Sequence, residues 1–230
     1  MKGRMQMAET ETKHTSVQYE KALREIRDNL IYVGALTEKA INKGIKSLLE
    51  RNSDLAREVV KEDAIIDKMD VDIEERCIKL LALRQPAARD LRFITTAIKI
   101  NGHLERIGDM ASNIARKVIL LNEEPQLKPY IDIPHMAQIT SMMIKESIDA
   151  FITENEELAE KVRKDDEMVD LLNEQIFREL ITFMMQDGRN IHRAMVISQI
   201  SKNLERISDH ATGIANMVIY MVTGKNVRHA

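Results

Sequence analysis

A single cysteine, Cys77, leaves no route to a disulfide within the chain. Ile78, Leu80 and Leu81 surround it in sequence, and no histidine partner lies nearby, so it reads as a buried structural thiol. Tryptophan is absent and aromatics make up only 3% of residues, so the core must be filled by aliphatic side chains. Only four prolines occur, and all mark breaks: Pro86 between two periodic stretches, then Pro125, Pro129 and Pro134 in one polar connection. No apolar run approaches the ~20 residues of a helical membrane span. Met1 to Thr15 is polar and lacks the apolar segment of a secretory signal, which points to the cytoplasm. A net charge of -3 gives no argument for nucleic acid or an anionic membrane as partner. P-loop, dinucleotide fingerprint and Cys-x-x-Cys are all missing.

What the chain does have is helical periodicity. Hydrophobic residues make up 44% and charged residues 31%, a mixture suited to long amphipathic helices. Fourteen methionines add adaptable packing or contact surface. The spacing predicts helices near 17–50, 54–83, 87–121, 135–153, 156–186 and 190–222. Ser53 is the expected cap of the second, Gly188 the stop of the fifth and Gly224 the stop of the sixth. In the third helix Ala97, Ile100, Leu104, Ile107, Ala111, Ile114, Val118 and Leu121 follow a 3-4-3-4 spacing. That is the period of a helix packed along one seam in a left-handed bundle.

The two halves repeat. At an offset of 100 the third helix meets the sixth, with eleven of twenty positions identical from Ile100 and Ile200 onward, including Leu104-Glu105-Arg106-Ile107 against Leu204-Glu205-Arg206-Ile207. At an offset of 103 the second helix meets the fifth, with Asn52, Leu55, Asp63 and Asp67 matching Asn155, Leu158, Asp166 and Asp170. The expected fold is therefore all-α: two three-helix bundles in tandem, six helices, related by a pseudo-twofold axis. The expected division is a mobile tail over 1–16, a first bundle over 17–121, a linker over 122–134, a second bundle over 135–222 and a C-terminal tail over 223–230.

Each half carries two acid pairs at i and i+4: Asp63 with Asp67 and Glu105 with Asp109, then Asp166 with Asp170 and Glu205 with Asp209. The spacing puts both carboxylates of a pair on one helix face, where like charges repel. One such pair is ordinary in a chain with 37 acids. Four at equivalent places in two repeats call for a cation or a basic partner to neutralise them. Glu105 lies about 130° and Asp109 about 170° from the seam of the third helix, so the pairs face outward. Oxygen-only ligands suit hard ions such as magnesium, manganese or iron. Small neighbours, Gly108, Ser112, Ser208 and Thr212, leave room for an ion to approach. Against this, Arg106 and Arg206 stand three residues before Asp109 and Asp209, where ordinary ion pairs form. His103, His192 and His210 make no Glu-x-x-His motif with these acids, which argues against a di-iron core of the ferritin type. Arg84, Arg89 and Arg92 form a basic cluster near the start of the third helix, with His192 and Arg193 near the matching place. It reads as a solvated helix start, with a partner-binding patch as the alternative.

The stretch Leu83-Arg84-Gln85-Pro86-Ala87-Ala88-Arg89-Asp90-Leu91-Arg92, together with Leu104-Glu105-Arg106-Ile107-Gly108-Asp109 and Leu204-Glu205-Arg206-Ile207-Ser208-Asp209, resembles the PhoU family of phosphate-uptake regulators. The likeness covers about 17–222. It implies surface metal clusters at Asp63, Asp67, Glu105, Asp109, Asp166, Asp170, Glu205 and Asp209, holding divalent or trivalent ions (magnesium, manganese, iron or zinc). It implies a non-enzymatic cytosolic regulator that restrains phosphate uptake and phosphate-starvation signalling, often as a homodimer. The implied partners are the phosphate ABC transporter and a membrane-bound sensor histidine kinase. A metal-dependent enzyme acting on phosphate esters and a metal-free helical scaffold are the alternatives.

Overall fold

The computed structural model describes the backbone of residues 2–84, 86 and 88–225, and side chains within 17–83, 86 and 88–225. The polypeptide runs through α1 (Lys2–Leu49), α2 (Ser53–Arg84), α3 (Ala88–Asn122), α4 (Asp132–Thr153), α5 (Glu156–Gln186), a 3-10 turn (Gly188–Asn190) and α6 (Ile191–Thr223). No strand occurs among the described residues. α1, α2 and α3 pack on one another, as do α4, α5 and α6. The bundles then join along two seams, α3 on α6 and α1 on α4, and one continuous hydrophobic core runs through both.

The heptad seam of α3 is buried along its whole length, from Ala97 to Leu121. On α2 the stripe Ile66, Ile73, Cys77 and Leu80 turns inward, and burial pushes the Cys77 thiol up to about 12, as expected of a structural thiol. α3 and α6 also bury a second face against each other. There His103 Nδ1 and His210 Nδ1 lie 3.0 Å apart, and Gly213 fits only because it has no Cβ: one placed there stands 2.5 Å from His103 Cε1.

Both repeats turn their first corner in the same way. Arg51 and Glu154, 103 residues apart, adopt the left-handed conformation with φ of 51° and 53°. The following residue closes the helix end, Asn52 N–H donating to Ser47 O and Asn155 N–H to Ala150 O, both at 2.9 Å. The same asparagines then cap the next helix, their Oδ1 atoms accepting from Leu55 N–H and Leu158 N–H at 3.0 Å. The cap of α2 is thus Asn52, and Ser53 is the first helical residue. Neither corner uses glycine, and side-chain contacts offset the strain. Arg51 donates to Leu121 O, Asn122 O and Glu124 O at 3.4, 3.1 and 2.6 Å, and Glu154 accepts from Arg89 at 2.7 Å.

Three boundaries differ from expectation. α1 is helical from Lys2, ahead of the expected start at 17; Met1 to Thr15 contains strong helix formers and no proline to stop the helix. Pro134 lies in the first turn of α4, where the missing N–H has no helical acceptor to lose. Gly188 opens a 3-10 turn, and Asp187 ends α5 in extended conformation with its side chain accepting from Arg189 N–H. Gly224, at φ 74°, ends α6 as expected.

Candidate metal centre

The acids of the first repeat come from two neighbouring helices. Asp63 and Asp67 lie one turn apart on α2, and Asp109 faces them from α3. One carboxylate oxygen from each lies within 4.8 Å of the other two. Gly108 permits this approach: a Cβ there meets Ile66 Cδ1 at 3.0 Å and Asp63 Oδ1 at 3.3 Å. Asp63 is the innermost. Burial pushes its carboxyl above the ordinary range, and Asp67 and Asp109 add to the shift, while the Ser112 hydroxyl and Arg116 oppose it. Its Oδ1 is buried and accepts no hydrogen bond.

Glu105 stands beside this trio rather than within it. Arg106 pairs with Glu105 at 3.3 Å and with Asp109 at 3.4 Å, so the i,i+3 ion pair expected from the sequence does form here. Burial, then Asp109, push the Glu105 carboxyl up. Sequence reasoning missed Asp70 and Glu74. They extend the acidic stripe of α2 by two further turns and line a small cavity of about 290 Å³ with Glu105 and Arg106. Asn101 holds Asp70 in place, donating to its Oδ1 at 2.7 Å and its backbone O at 2.8 Å. The signal was present, since Asp70 and Glu74 form another i,i+4 pair, but it has no twin. The second repeat has Asn173 and Phe177 at those positions.

In the second repeat, Asp166 and Asp170 on α5 face Glu205 and Asp209 on α6. Glu205 acts on each of the three aspartates. Burial, then Glu205, Asp166 and Asp170, push the Asp209 carboxyl up to about 6. Burial, then Glu205, raise Asp170 as well. Asp166 parallels Asp63: its carboxyl is raised by burial first, with the Ser208 and Thr212 hydroxyls opposing, and its Oδ1 is buried with no donor in hydrogen-bond geometry. The neutralising residue differs. Lys202, not Arg206, pairs with Glu205, at 2.5 Å. Among the described residues no three oxygens of this group approach one another as closely as those of Asp63, Asp67 and Asp109.

Buried carboxylate oxygens without donors, ringed by other carboxylates, are costly in isolation. A cation answers both problems, and the purely oxygen donor set fits a hard ion.

The two-repeat organisation matches known proteins. The model of the PhoU domain matches twice, over residues 30–118 and 133–218. The chain belongs to the PhoU family. PhoU relatives include the phosphate-specific transport system accessory protein PhoU homolog of Aquifex aeolicus, 46% identical over 91% of this chain and 95% of the relative. The homolog of the same description from Pseudomonas aeruginosa is 41% identical over 95% of this chain and 90% of its own length. The crystal structure of PhoU from Pseudomonas aeruginosa superposes with a TM-score of 0.87 over 90% of this chain and 100% of that one. The phosphate transport system regulatory protein PhoU from Streptococcus pneumoniae, 25% identical, superposes with a TM-score of 0.84 over 91% of this chain and 99% of that one. Each of the two PhoU domain matches falls within one bundle.

Proposed function

We propose that this chain is a regulator of phosphate uptake that acts through protein contacts on the cytoplasmic side of the membrane, with metal ions held at its two acidic faces. The relatives' names support the transport role: they are accessory and regulatory proteins of phosphate-specific transport. Among the described residues no helix is long and apolar enough to cross a membrane, so contact with a membrane transporter runs through the bundle surface. The partners are the phosphate ABC transporter and the sensor histidine kinase of phosphate starvation, and the regulator restrains both. It works as a homodimer.

The observation that carries the metal half is the Asp63, Asp67 and Asp109 trio with its orphaned buried oxygen. Asp63, Asp67 and Asp109 hold the first ion, with Glu105 at its edge; Asp166, Asp170, Glu205 and Asp209 hold the second. Such an ion supplies positive charge that fixes the acid faces in one arrangement and offers open coordination positions to a partner's oxygen ligands.

Two measurements test the reading separately. Expression in a bacterium lacking its own PhoU restores repression of phosphate-starvation genes at high phosphate; failure to restore it, with the protein folded and abundant, overturns the regulatory role. Elemental mass spectrometry after dialysis against magnesium, manganese, iron or zinc finds more than one ion per chain. The Asp109→Ala, Asp209→Ala double variant loses them. A wild type that retains no metal overturns the metal assignment alone.

A further inference from the structure

Four arginines line one cavity at the end of the first bundle. Arg24 and Arg27 reach it from α1, Arg89 and Arg92 from α3, and the last turn of α6 closes one side. Its volume is about 410 Å³. Three carboxylates share the lining, Glu20, Asp90 and Glu154, and two of them are engaged. Glu154 accepts from Arg89 at 2.7 Å and pairs with Arg27 at 3.6 Å. Asp90 accepts from the Tyr19 hydroxyl at 3.0 Å. Arg24 and Arg92 form no ion pair among the described residues. Arg27 is held in place over the Phe93 ring, 4.8 Å from its centroid. The Nε atoms of Arg27 and Arg92 are buried and have no hydrogen-bond acceptor.

The second repeat supplies an internal control. At the offset of 103, the linker aligns in sequence with the part of α1 that carries Arg24 and Arg27, and Tyr130 aligns with Arg27. At that end the cations find acceptors in the linker itself. Arg193 donates to Pro125 O at 3.0 Å and faces Glu124 at 3.6 Å, although its Nε, like those of Arg27 and Arg92, is buried without a hydrogen-bond acceptor. His192 Nδ1 lies 2.6 Å from Glu124 Oε1, and Arg51 donates to Glu124 O. Lys128 pairs with Glu179, and Tyr130 is buried. Among the described residues no such segment reaches this end of the first repeat. Arg24 and Arg92 keep a lined space without the ion-pair partner that Glu124 gives His192 and Arg193.

We propose that the arginine cavity binds the phosphate groups of a small molecule, with Arg24 and Arg92 as the recognising residues. Guanidinium forks from two helices match a phosphate, whose oxygens accept several N–H donors at once, better than a single carboxylate. The space is that of a small-molecule site and exceeds what orthophosphate fills. The ligand is therefore a chain of phosphates, either free or carried on a nucleoside. The site lies on α1 and α3 away from the acidic trio, and its ligand binds without metal.

Titration calorimetry of the full chain in EDTA tests this, with orthophosphate, pyrophosphate, tripolyphosphate, ATP and citrate as probes. EDTA keeps the acidic faces from drawing in metal–phosphate complexes. Pyrophosphate, tripolyphosphate or ATP is expected to bind at least tenfold tighter than orthophosphate or citrate. Arg24→Gln with Arg92→Gln loses at least tenfold of that affinity at an unchanged melting temperature. ATP binding above tripolyphosphate assigns a nucleotide; equal binding assigns the inorganic chain. Should the double variant melt early, Arg92→Lys carries the test, since it keeps the charge, loses the fork and weakens binding severalfold. No binding by any phosphate chain, citrate binding as tightly, or variants that bind like wild type each overturn the proposal.

Discussion

The two acidic faces are built from matching helix pairs and the same four acid positions, yet they manage their charge differently. In the first repeat Gly108 lets α2 and α3 close on each other, three carboxylate oxygens meet within 4.8 Å, and Arg106 bridges Glu105 and Asp109. In the second, Ser208 stands where Gly108 does, its hydroxyl turned back to Glu205 O at 2.7 Å. There burial and the neighbouring carboxylates raise the aspartates, most visibly Asp209, and Lys202 pairs with Glu205. Duplication preserved the acid positions. The residues between them set how closely the carboxylates converge.

The largest effect tests whether the repeats are one folding unit. Leu104 and Leu204 occupy equivalent places in a continuous core, and both are fully buried. Leu104→Ala and Leu204→Ala are each expected to cost about 2–5 kcal/mol, by similar amounts and in a single denaturant transition. Two separate transitions, each moved by only one variant, would break the comparison by making the bundles independent.

Next comes the approach of the helices. Gly108→Ser places a side chain against Ile66 and Asp63, and is expected to weaken metal binding at the first face by about tenfold, roughly 1.4 kcal/mol. The reciprocal Ser208→Gly should leave the first face unchanged. Equal affinities for wild type and Gly108→Ser in a metal titration would show that approach does not set the site.

The corners are a smaller and symmetric test. Asn52→Ala and Asn155→Ala each remove one capping bond of the same length, so each should lower stability by about 1 kcal/mol. Loss at one corner only would mean that the matching geometry conceals unequal energetics.

The smallest effect separates the two faces by pH. The Asp209 carboxyl is raised from 3.8 to about 6 in the folded protein, so the folded state binds its proton more tightly than the unfolded one. Metal-free stability therefore falls as pH rises through that window and levels off above it. Asp209→Asn removes this cost and should stabilise the metal-free protein at pH 7 by up to about 1 kcal/mol after solvent screening, with no gain below the window. Asp109→Asn should gain less, because Arg106 already compensates Asp109. Melting curves across pH without metal give the result, and a larger gain at Asp109 would reverse the assignment.

Much of the fold was legible because helical burial writes itself as a period. The α3 seam from Ala97 to Leu121, the stripe through Cys77 and the stop at Gly224 follow from side-chain spacing and backbone conformation. The repeat offset made the acid pairs visible as a set. The ends of helices were less legible: Asn52 caps rather than Ser53 because a left-handed residue, Arg51, precedes it, and nothing in the composition marks an arginine for that role. The asymmetry of the candidate site was hidden as well. Asp70 and Glu74 join the first face without a counterpart, and a search for repeated acids passes over them.

By itself the sequence determined the class of fold, its six helices, its duplication and which carboxylates share a helix face, because each depends on neighbours within a few turns. Only the tertiary structure decided that α3 and α6 join the bundles through the His103–His210 contact. It also decided that Asp63, Asp67 and Asp109 converge while Glu105 stands aside, and that four arginines from α1 and α3 line one cavity. Those facts depend on how closely helices approach, and that is set by which side chains, or which missing Cβ atoms, meet across the gap.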